Sequence, residues 1–333
     1  MSLLSVRDLT VRFPIRRGWG RKAWLTAVDG VSFDIDAGRT LAIVGESGSG
    51  KTTAALAVAR LVVAQAGDVR LDGAPFLTLE GEALRRARAQ VQVIFQDPYS
   101  SLNPRLRAAA IVREPMDSLG TLPPADRPAR VAELFAQVGL RPEQMHLFPH
   151  QFSGGQRQRI GIARALATNP KLIICDEAVS ALDVAVQAQI LNLLRRLQAD
   201  LGLTYLFISH DLGVVQHMCD DIAVMYMGRI VEQGDRLSVF NAAQHPYTQA
   251  LLSAVPSVDR ARRRQGNRML IPGDPPDPLN LPQGCNFASR CPRVQDRCRA
   301  EAPALDRAGV HLAACHYAGP RDPGSPNRTP PTA

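Results

Sequence analysis

Aromatic residues are scarce, 5% of 333 positions, acids are outnumbered by bases, and no apolar run approaches the roughly 18 residues of a membrane span. The last absence excludes a bilayer-spanning helix. The opening MSLLSVRDL puts Arg7 and Asp8 where a secretion signal needs its apolar stretch, so the chain is expected to stay in the cytoplasm. Sparse rings, with basic residues spread through loops, count against a groove in which nucleic-acid bases stack. The deficit of acids, 31 against 39 Lys and Arg, leaves a net charge of +8 and fits anionic partners: nucleotides, nucleic acid or a lipid surface. A composition 45% hydrophobic and 21% charged excludes a disordered or collagen-like chain, and the length suits one large α/β domain with a modest appendage. CxxC pairs are also lacking. Six cysteines in a cytosolic setting argue against structural disulfides, and four of them (Cys285, Cys291, Cys298, Cys315) fall in the last fifth, which points to a metal or cluster site.

The segment LLSVRDLTVRF alternates as a half-buried strand does, and AVDGVSFDIDAGRTLAIVG predicts two more strands joined at Asp36-Ala37-Gly38, together an antiparallel N-terminal sheet. Between Phe13 and Trp24 the run RRGWGRK reads as a solvated loop. From about 97 to 150 the pattern is helical and proline-rich; Val131, Leu134, Phe135 and Val138 recur at helical spacing between Pro128 and Gly139, predicting one amphipathic helix in a helical insert. The α/β pattern resumes with the strand LIIC at 172–175, then a helix capped by Asp183 with Val186, Ile190, Leu193, Leu194, Leu197 and Leu201 on one side and Gly202 at its end, then the strand TYLFIS at 204–209. Such a succession implies parallel strands with right-handed crossovers. IAVMYMGRIVEQGD predicts a closing meander. Beyond about 255, DRARRRQGNR and PGDPPDPLNLP are linker chemistry, a small cysteine-bearing unit follows, and GPRDPGSPNRTPPTA is expected to be disordered. The expected division is therefore 1–255 with a helical part at about 97–160, then 256–318, then a tail at 319–333.

Gly45-Glu46-Ser47-Gly48-Ser49-Gly50-Lys51-Thr52 fits GxxxxGK[ST], after the apolar strand Leu41 to Val44 and before the helix-prone TAALAVARL that follows from Thr53. Glycines let successive N–H groups and the helix N-terminus face phosphate oxygens, Lys51 reaches the β- and γ-phosphates, and Thr52 offers a hydroxyl to Mg²⁺. Hydrolysis of ATP also needs a metal-holding acid and a group that activates water. LIICDE places Asp176 and Glu177 at the C-terminal edge of a buried strand, the first to hold Mg²⁺ and the second as general base. A third element, Phe152-Ser153-Gly154-Gly155-Gln156-Arg157-Gln158-Arg159, opens a helix through IGIARALA, with Ser153 as N-cap and two glycines allowing close approach to an anion.

With Gln96 after the strand VQVIF, SALD at 180–183 and His210 after TYLFIS, the order of elements over about residues 3–250 closely resembles the ATP-binding-cassette (ABC) ATPases. The resemblance implies an α/β fold: a RecA-like P-loop core with an antiparallel β subdomain and a helical subdomain, here followed by the small cysteine-bearing extension. It implies head-to-tail dimers in which Ser153, Gly154, Gly155 and Gln156 serve the partner's nucleotide, Gln96 contacts Mg²⁺ and water and links to the transport subunit, Asp183 contacts across the dimer, and His210 senses the γ-phosphate. Phe13 matches the aromatic that stacks on adenine, with Trp19 and Trp24 as alternatives and core packing as a further use of Phe13. The chain departs from the family pattern at Phe152, usually Leu, and at Ala178, usually Pro; neither change removes a phosphate-contacting group.

Within that superfamily QDPYSSLNPR at 96–105 and HPYTQALLSAVP at 245–256 resemble the oligopeptide and dipeptide importer ATPases. The resemblance implies a second cassette subunit, identical or homologous, two transmembrane permease subunits and an extracytoplasmic binding protein as partners, with the chain held peripherally at the cytoplasmic face of the membrane through the permeases. The alternative is a nucleic-acid-acting ABC ATPase, against which the single phosphate loop counts. The spacing Cys285-x5-Cys291-x6-Cys298-x16-Cys315 suits an iron-sulfur cluster or a structural zinc, with His311 or His316 able to substitute, or reduced thiols. The importers' C-terminal extension carries a matching set, associated in some members with a [4Fe-4S] cluster.

Overall fold

The computed structural model describes residues 2–17, 21–254, 269, 271–305 and 309–319, without the side chains of 16, 17, 21 and 22. Trp19, the arginine run at 259–268 and the tail from 320 onward lie outside the described residues.

Strands β1 (Ser2–Arg17) and β2 (Arg21–Asp36) form a long hairpin, and β3 (Thr40–Val44) leads through a glycine loop into helix α1 (Lys51–Val58). Strands β4 (Ala66–Leu71) and β5 (Ala74–Pro75), helix α2 (Gly81–Gln90) and strand β6 (Val91–Ile94) come next. A helical block of α3 (Ala108–Leu119), α4 (Arg127–Gln137) and α5 (Gly154–Leu166) separates them from β7 (Leu172–Asp176), α6 (Val184–Leu201), β8 (Thr204–Ser209) and α7 (Leu212–Met218). Strands β9 (Asp221–Tyr226) and β10 (Arg229–Asp235) precede α8 (Arg236–Ala242), α9 (Pro246–Ser253) and, past the linker, β11 (Leu312–Ala313).

Two sheets result, an antiparallel one ordered β2-β1-β4-β5 and a larger one ordered β11-β10-β9-β3-β8-β7-β6. In the second, β6, β7, β8, β3 and β9 pair in parallel, while β10 and β11 turn back antiparallel. The side-chain period of two divides its apolar runs between two cores. Leu41, Ile43, Leu172, Ile174, Leu206 and Ile208 pack with the antiparallel sheet and α1, whereas Ala42, Val44, Ile173, Cys175, Tyr205 and Phe207 pack with the helices of the opposite face. Burial on both faces is why these strands read as continuous rather than alternating.

Three expectations need correction. The hairpin runs further than the alternation predicts: Ile15 pairs with Ala23 and Arg17 with Arg21, so most of RRGWGRK is strand, because backbone pairing satisfies N–H and C=O groups whatever the side chains. Thr40–Val44 joins the parallel sheet and not the N-terminal antiparallel one, since both its faces are covered. Leu201, placed on the buried side of its helix, is exposed at the last turn. The helix from Arg127 ends as expected, with Gly139 at φ 71° in the left-handed region, and Gly202 does the same for α6 at φ 65°. Helix α3 went unread because Pro115 lies inside it.

Candidate nucleotide-binding site

Because β6, β7, β8 and β3 lie side by side in parallel, the residues that leave their C-terminal ends converge on one edge of the sheet. Gln96 follows β6, Asp176 and Glu177 end β7, His210 follows β8, and the loop 45–50 follows β3. The glycines of that loop are required by close approach. A Cβ on Gly45 would sit 2.1 Å from the Met225 carbonyl oxygen, and one on Gly50 2.2 Å from that of Ala27. Both residues also have positive φ, 155° and 101°, and Gly48 has φ 78°. Helix α1 starts at Lys51 with no side chain capping it, so its first N–H groups are left for an anion.

Lys51 is buried and folds back over the loop, donating to the carbonyl oxygens of Gly45 (2.9 Å) and Glu46 (2.7 Å) and to Ser49 Oγ (3.5 Å). Burial lowers its pKa, opposed by the negative charges of Glu177, Asp176 and Glu46. Thr52 Oγ1 donates to Asp176 Oδ1 at 2.8 Å. Burial raises the Asp176 carboxyl above its usual range, and this hydrogen bond pulls the other way. Glu177 occupies the left-handed region at φ 46°, a position that turns it out of the strand. Its Oε2 accepts from Gln96 Nε2 at 3.0 Å and its Oε1 lies 3.1 Å from His210 Nδ1. Lys51, the Thr52–Asp176 pair and the Gln96–Glu177–His210 group thus lie along one polar edge of the sheet. Ser47 and Gly48 are exposed at the loop's rim and Thr53 is half-buried.

The Ser153–Gln156 turn is built separately. Ser153 Oγ accepts from the Gln156 backbone N–H (3.3 Å) and Gln156 Oε1 from that of Ser153 (3.0 Å), a reciprocal cap on α5. A Cβ on Gly155 would meet Val186 Cγ1 at 2.5 Å, and one on Gly154 would meet Leu182 Cδ2 at 3.5 Å, so the turn lies against the start of α6. Asp183 caps that helix, accepting from the Val186 N–H at 2.9 Å. Among the described residues no hydrogen bond joins this turn to the phosphate loop of the same chain. Phe13 and Trp24 are both exposed on the hairpin, opposite Leu25 and Pro14 respectively, so the geometry does not choose between them as partners for a base.

The four C-terminal cysteines, far apart in sequence, line one narrow cavity with His245, Phe287, His316 and Tyr317. The Cys285 N–H bonds the Cys298 carbonyl at 2.7 Å, and the Arg293 N–H points at Cys291 Sγ at 3.4 Å. Burial pushes the Cys291 thiol up to about 12 and raises Cys285 and Cys315 as well. Among the described residues no group of three or more His, Cys, Asp or Glu is arranged to hold a metal ion, so the expected cluster gains no support from the geometry beyond the shared cavity. His311, 2.7 Å from the fully buried Glu232, is not among the residues that line this cavity. His316 Nε2 lies 2.9 Å from the Glu301 carbonyl oxygen.

Two residues that the sequence does not assign to the nucleotide site also reach the phosphate loop. Tyr247 Oη accepts from the Glu46 backbone N–H at 2.8 Å, and Arg290, from the cysteine unit, pairs with the Glu46 carboxylate at 2.9 Å. Separations of 201 and 244 residues hide both contacts from any local pattern.

A family model described as ABC transporter matches residues 28–180, and one described as oligopeptide/dipeptide transporter, C-terminal region, matches 231–298. The chain is 48% identical over 96% of its length, and 91% of the relative, to a probable peptide ABC transporter ATP-binding protein of Sinorhizobium fredii. It is 46% identical to the oligopeptide transport ATP-binding protein AppF of Bacillus subtilis, over 95% of this chain and 97% of that one. With the dipeptide transport ATP-binding protein DppF of Escherichia coli the figures are 44%, 94% and 93%. Among solved structures, a dimeric ATP-binding cassette, MJ0796, in a post-hydrolysis state with ADP and phosphate superimposes with a TM-score of 0.61 at 28% identity, covering 70% of this chain and 98% of that one. The cassette cbiO1 of Clostridium perfringens, part of an ABC transporter complex, gives 0.61 at 27% identity, covering 72% and 90%.

Proposed function

The chain belongs to the ATP-binding subunits of peptide-class ABC transporters, and from that premise we propose how its residues divide the work of ATP hydrolysis and coupling. It is the ATP-hydrolysing subunit of a transporter that imports peptides or related small solutes, and its working state is a dimer of cassettes on membrane permeases. The alternative of a nucleic-acid-acting ATPase finds no support among the relatives.

The observation that carries the mechanism is the gathering of Lys51, Thr52, Asp176, Glu177, Gln96 and His210 at one edge of the sheet, with Thr52 bonded to Asp176 and Glu177 held between Gln96 and His210. Gly45, Ser47, Gly48, Ser49, Gly50 and Thr53 would cradle the phosphates with backbone N–H groups and the start of α1. Lys51, now bonded to loop carbonyls, would exchange them for the β- and γ-phosphates, an exchange in which a partly desolvated ammonium gains two stronger anionic partners. Thr52 and Asp176, already 2.8 Å apart, would hold Mg²⁺, which when bound neutralises charge that develops on the phosphates. Glu177 would take the proton of the attacking water, oriented from one side by Gln96 and from the other by His210, whose ring would also meet the γ-phosphate.

Ser153, Gly154, Gly155 and Gln156 would present the N-terminus of α5 to the γ-phosphate held by the partner cassette, with Asp183 at the same interface. Hydrolysis removes that anion and the closure it stabilises. Phe13 is our assignment for the adenine contact. Residues 1–255, with the helical part at about 97–160, would form the cassette, and 256–318 the peptide-transporter extension. The partners would be a second cassette, two permeases and an extracytoplasmic binding protein, with this chain peripheral at the cytoplasmic face. Among the described residues no helix is long and apolar enough to cross a membrane.

For the extension we assign Cys285, Cys291, Cys298 and Cys315 to a structural [4Fe-4S] cluster, on the strength of four thiols lining one cavity. The test is ATPase activity of the anaerobically purified chain with and without its permeases, with iron and zinc analysis of the same sample. Activity that rises in the complex, with about four irons per chain, is expected. Activity indifferent to permeases refutes the coupling role, and zinc or no metal refutes the cluster.

A further inference from the structure

Glu46 is the second residue of the phosphate loop, and two groups from outside the loop hold it. Its N–H is bonded to Tyr247 Oη (2.8 Å), and its carboxylate receives both terminal nitrogens of Arg290, Nη1 at 2.9 Å and Nη2 at 3.3 Å. The Tyr226 hydroxyl, 3.3 Å from the same Nη1, accepts from the guanidinium and braces it. The Arg290 side chain is 8% exposed and that of Glu46 28%, so the guanidinium is shielded from water, and its two-pronged geometry fixes orientation as well as distance.

The other end of this contact is the cysteine unit. Arg290 closes the short turn Ala288–Arg290 between Cys285 and Cys291. Phe287, at the head of the turn, packs edge-on to Tyr226 (centroids 5.3 Å) and against Tyr247 (5.5 Å), and those two rings are 4.6 Å apart. Tyr247 is fixed in turn by His245, whose Nδ1 accepts the Tyr247 N–H at 3.1 Å and whose own N–H bonds the buried Glu232 carboxylate at 2.8 Å. A packed, hydrogen-bonded strut therefore runs from the cysteine cavity to the floor of the nucleotide site. Lys51 rests on the Glu46 carbonyl, so displacement of Glu46 displaces the lysine's seat.

We infer that Arg290 is a positioning residue for the phosphate loop, through which the four-cysteine unit sets the affinity of the same chain for ATP. The inference rests on the nucleotide reading of that loop, and it concerns binding and not the chemical step, because Arg290 contacts Glu46 and none of Glu177, Gln96 or His210.

The test uses the full chain, titrated with a fluorescent ATP analogue and assayed for kcat and KM, with thermal melting to record folding. Arg290→Gln and Glu46→Gln should each weaken nucleotide binding roughly tenfold, the order of loss when a supporting shell is removed from a binding constellation. For Arg290→Gln the kcat at saturating ATP should stay within about twofold. The double variant should bind no worse than either single one, because the two changes break the same contact. Arg290→Lys, which keeps the charge and loses the fork, should fall between. Cys285→Ser should weaken binding in the parent and add nothing to Arg290→Gln. Unchanged affinity in Arg290→Gln, or losses that add in the double variant, overturn the inference. Should Arg290→Gln fail to fold, Glu46→Gln and Arg290→Lys decide the matter by the same criteria. Lys51→Ala is the control that separates the two claims: normal binding there breaks the nucleotide reading itself, whereas lost binding there with an unaffected Arg290→Gln breaks only the role of Arg290.

Discussion

Replacing Glu177 by Gln removes a charge and a proton acceptor while leaving the shape almost unaltered. In the structure one carboxylate oxygen accepts from Gln96 at 3.0 Å and the other lies 3.1 Å from His210 Nδ1. An amide can reproduce both contacts, its oxygen accepting from Gln96 and its NH₂ donating to a neutral imidazole nitrogen, so the fold and the left-handed backbone at φ 46° have no reason to change. Neither Lys51 nor Thr52 is hydrogen-bonded to Glu177, so the phosphate contacts stay. A positioned general base contributes roughly 10²–10⁴ in rate, or about 3–5 kcal/mol of barrier. Glu177→Gln should therefore bind ATP within about threefold of the parent and hydrolyse it at least ~10²-fold more slowly. Single-turnover hydrolysis beside an equilibrium nucleotide titration separates the two quantities, and size-exclusion chromatography in ATP should show the cassette dimer accumulating because the closing anion is no longer destroyed. A drop in hydrolysis below tenfold, or a loss of rate fully matched by a loss of affinity, would falsify the assignment of the base.

Lys51→Ala should lose ATP binding itself, since the buried ammonium is the charge aimed at the loop; retention of normal affinity in an equilibrium titration would remove the loop from the site. Gly155→Ala places a methyl 2.5 Å from Val186 Cγ1, and relieving such a clash costs about 1–3 kcal/mol or shifts the start of α5. Because that turn is assigned to the partner's nucleotide, ATP affinity of the monomer should hold while turnover falls; equal losses in both would place the turn on its own chain's nucleotide. Asp235 caps α8, and its hydrogen bonds to the Ser238 hydroxyl and N–H hold its carboxyl below the usual range. A depressed carboxyl stabilises the fold above its unfolded pKa near 4 and loses that contribution as pH falls through the folded value. Asp235→Ala should thus cost about 1 kcal/mol at neutral pH by urea unfolding, with the gap to the parent narrowing below about pH 4; a gap that widens in acid refutes the sign.

The phosphate loop, the acidic strand end and the caps of α5 and α6 were legible because each is a short-range contract between neighbouring residues. A strand before glycine, a lysine six positions on, or a serine three residues before a glutamine must form the same local geometry wherever the chain carries it. The turn-ending glycines Gly139 and Gly202 were legible for the same reason, as was TYLFIS, whose bounds coincide with β8. The extent of the hairpin was not, because exposed backbone pairing beyond Phe13 leaves no apolar alternation to read. Nor was the destination of β3, since an apolar run of five says that both faces are buried and not which sheet does the burying.

Residue types and spacing determined that Lys51, Thr52, Asp176 and Glu177 gather at one edge of the sheet, because those groups sit at strand ends whose parallel order follows from the alternation of strands and helices. Tertiary structure decided what supports them. That β11 extends the main sheet past β10, that four cysteines spread over 31 positions share one cavity, and that Arg290 closes on Glu46 from 244 residues away are outcomes of packing between distant segments. Their energies depend on burial and on which partner arrives, quantities that no window of sequence contains.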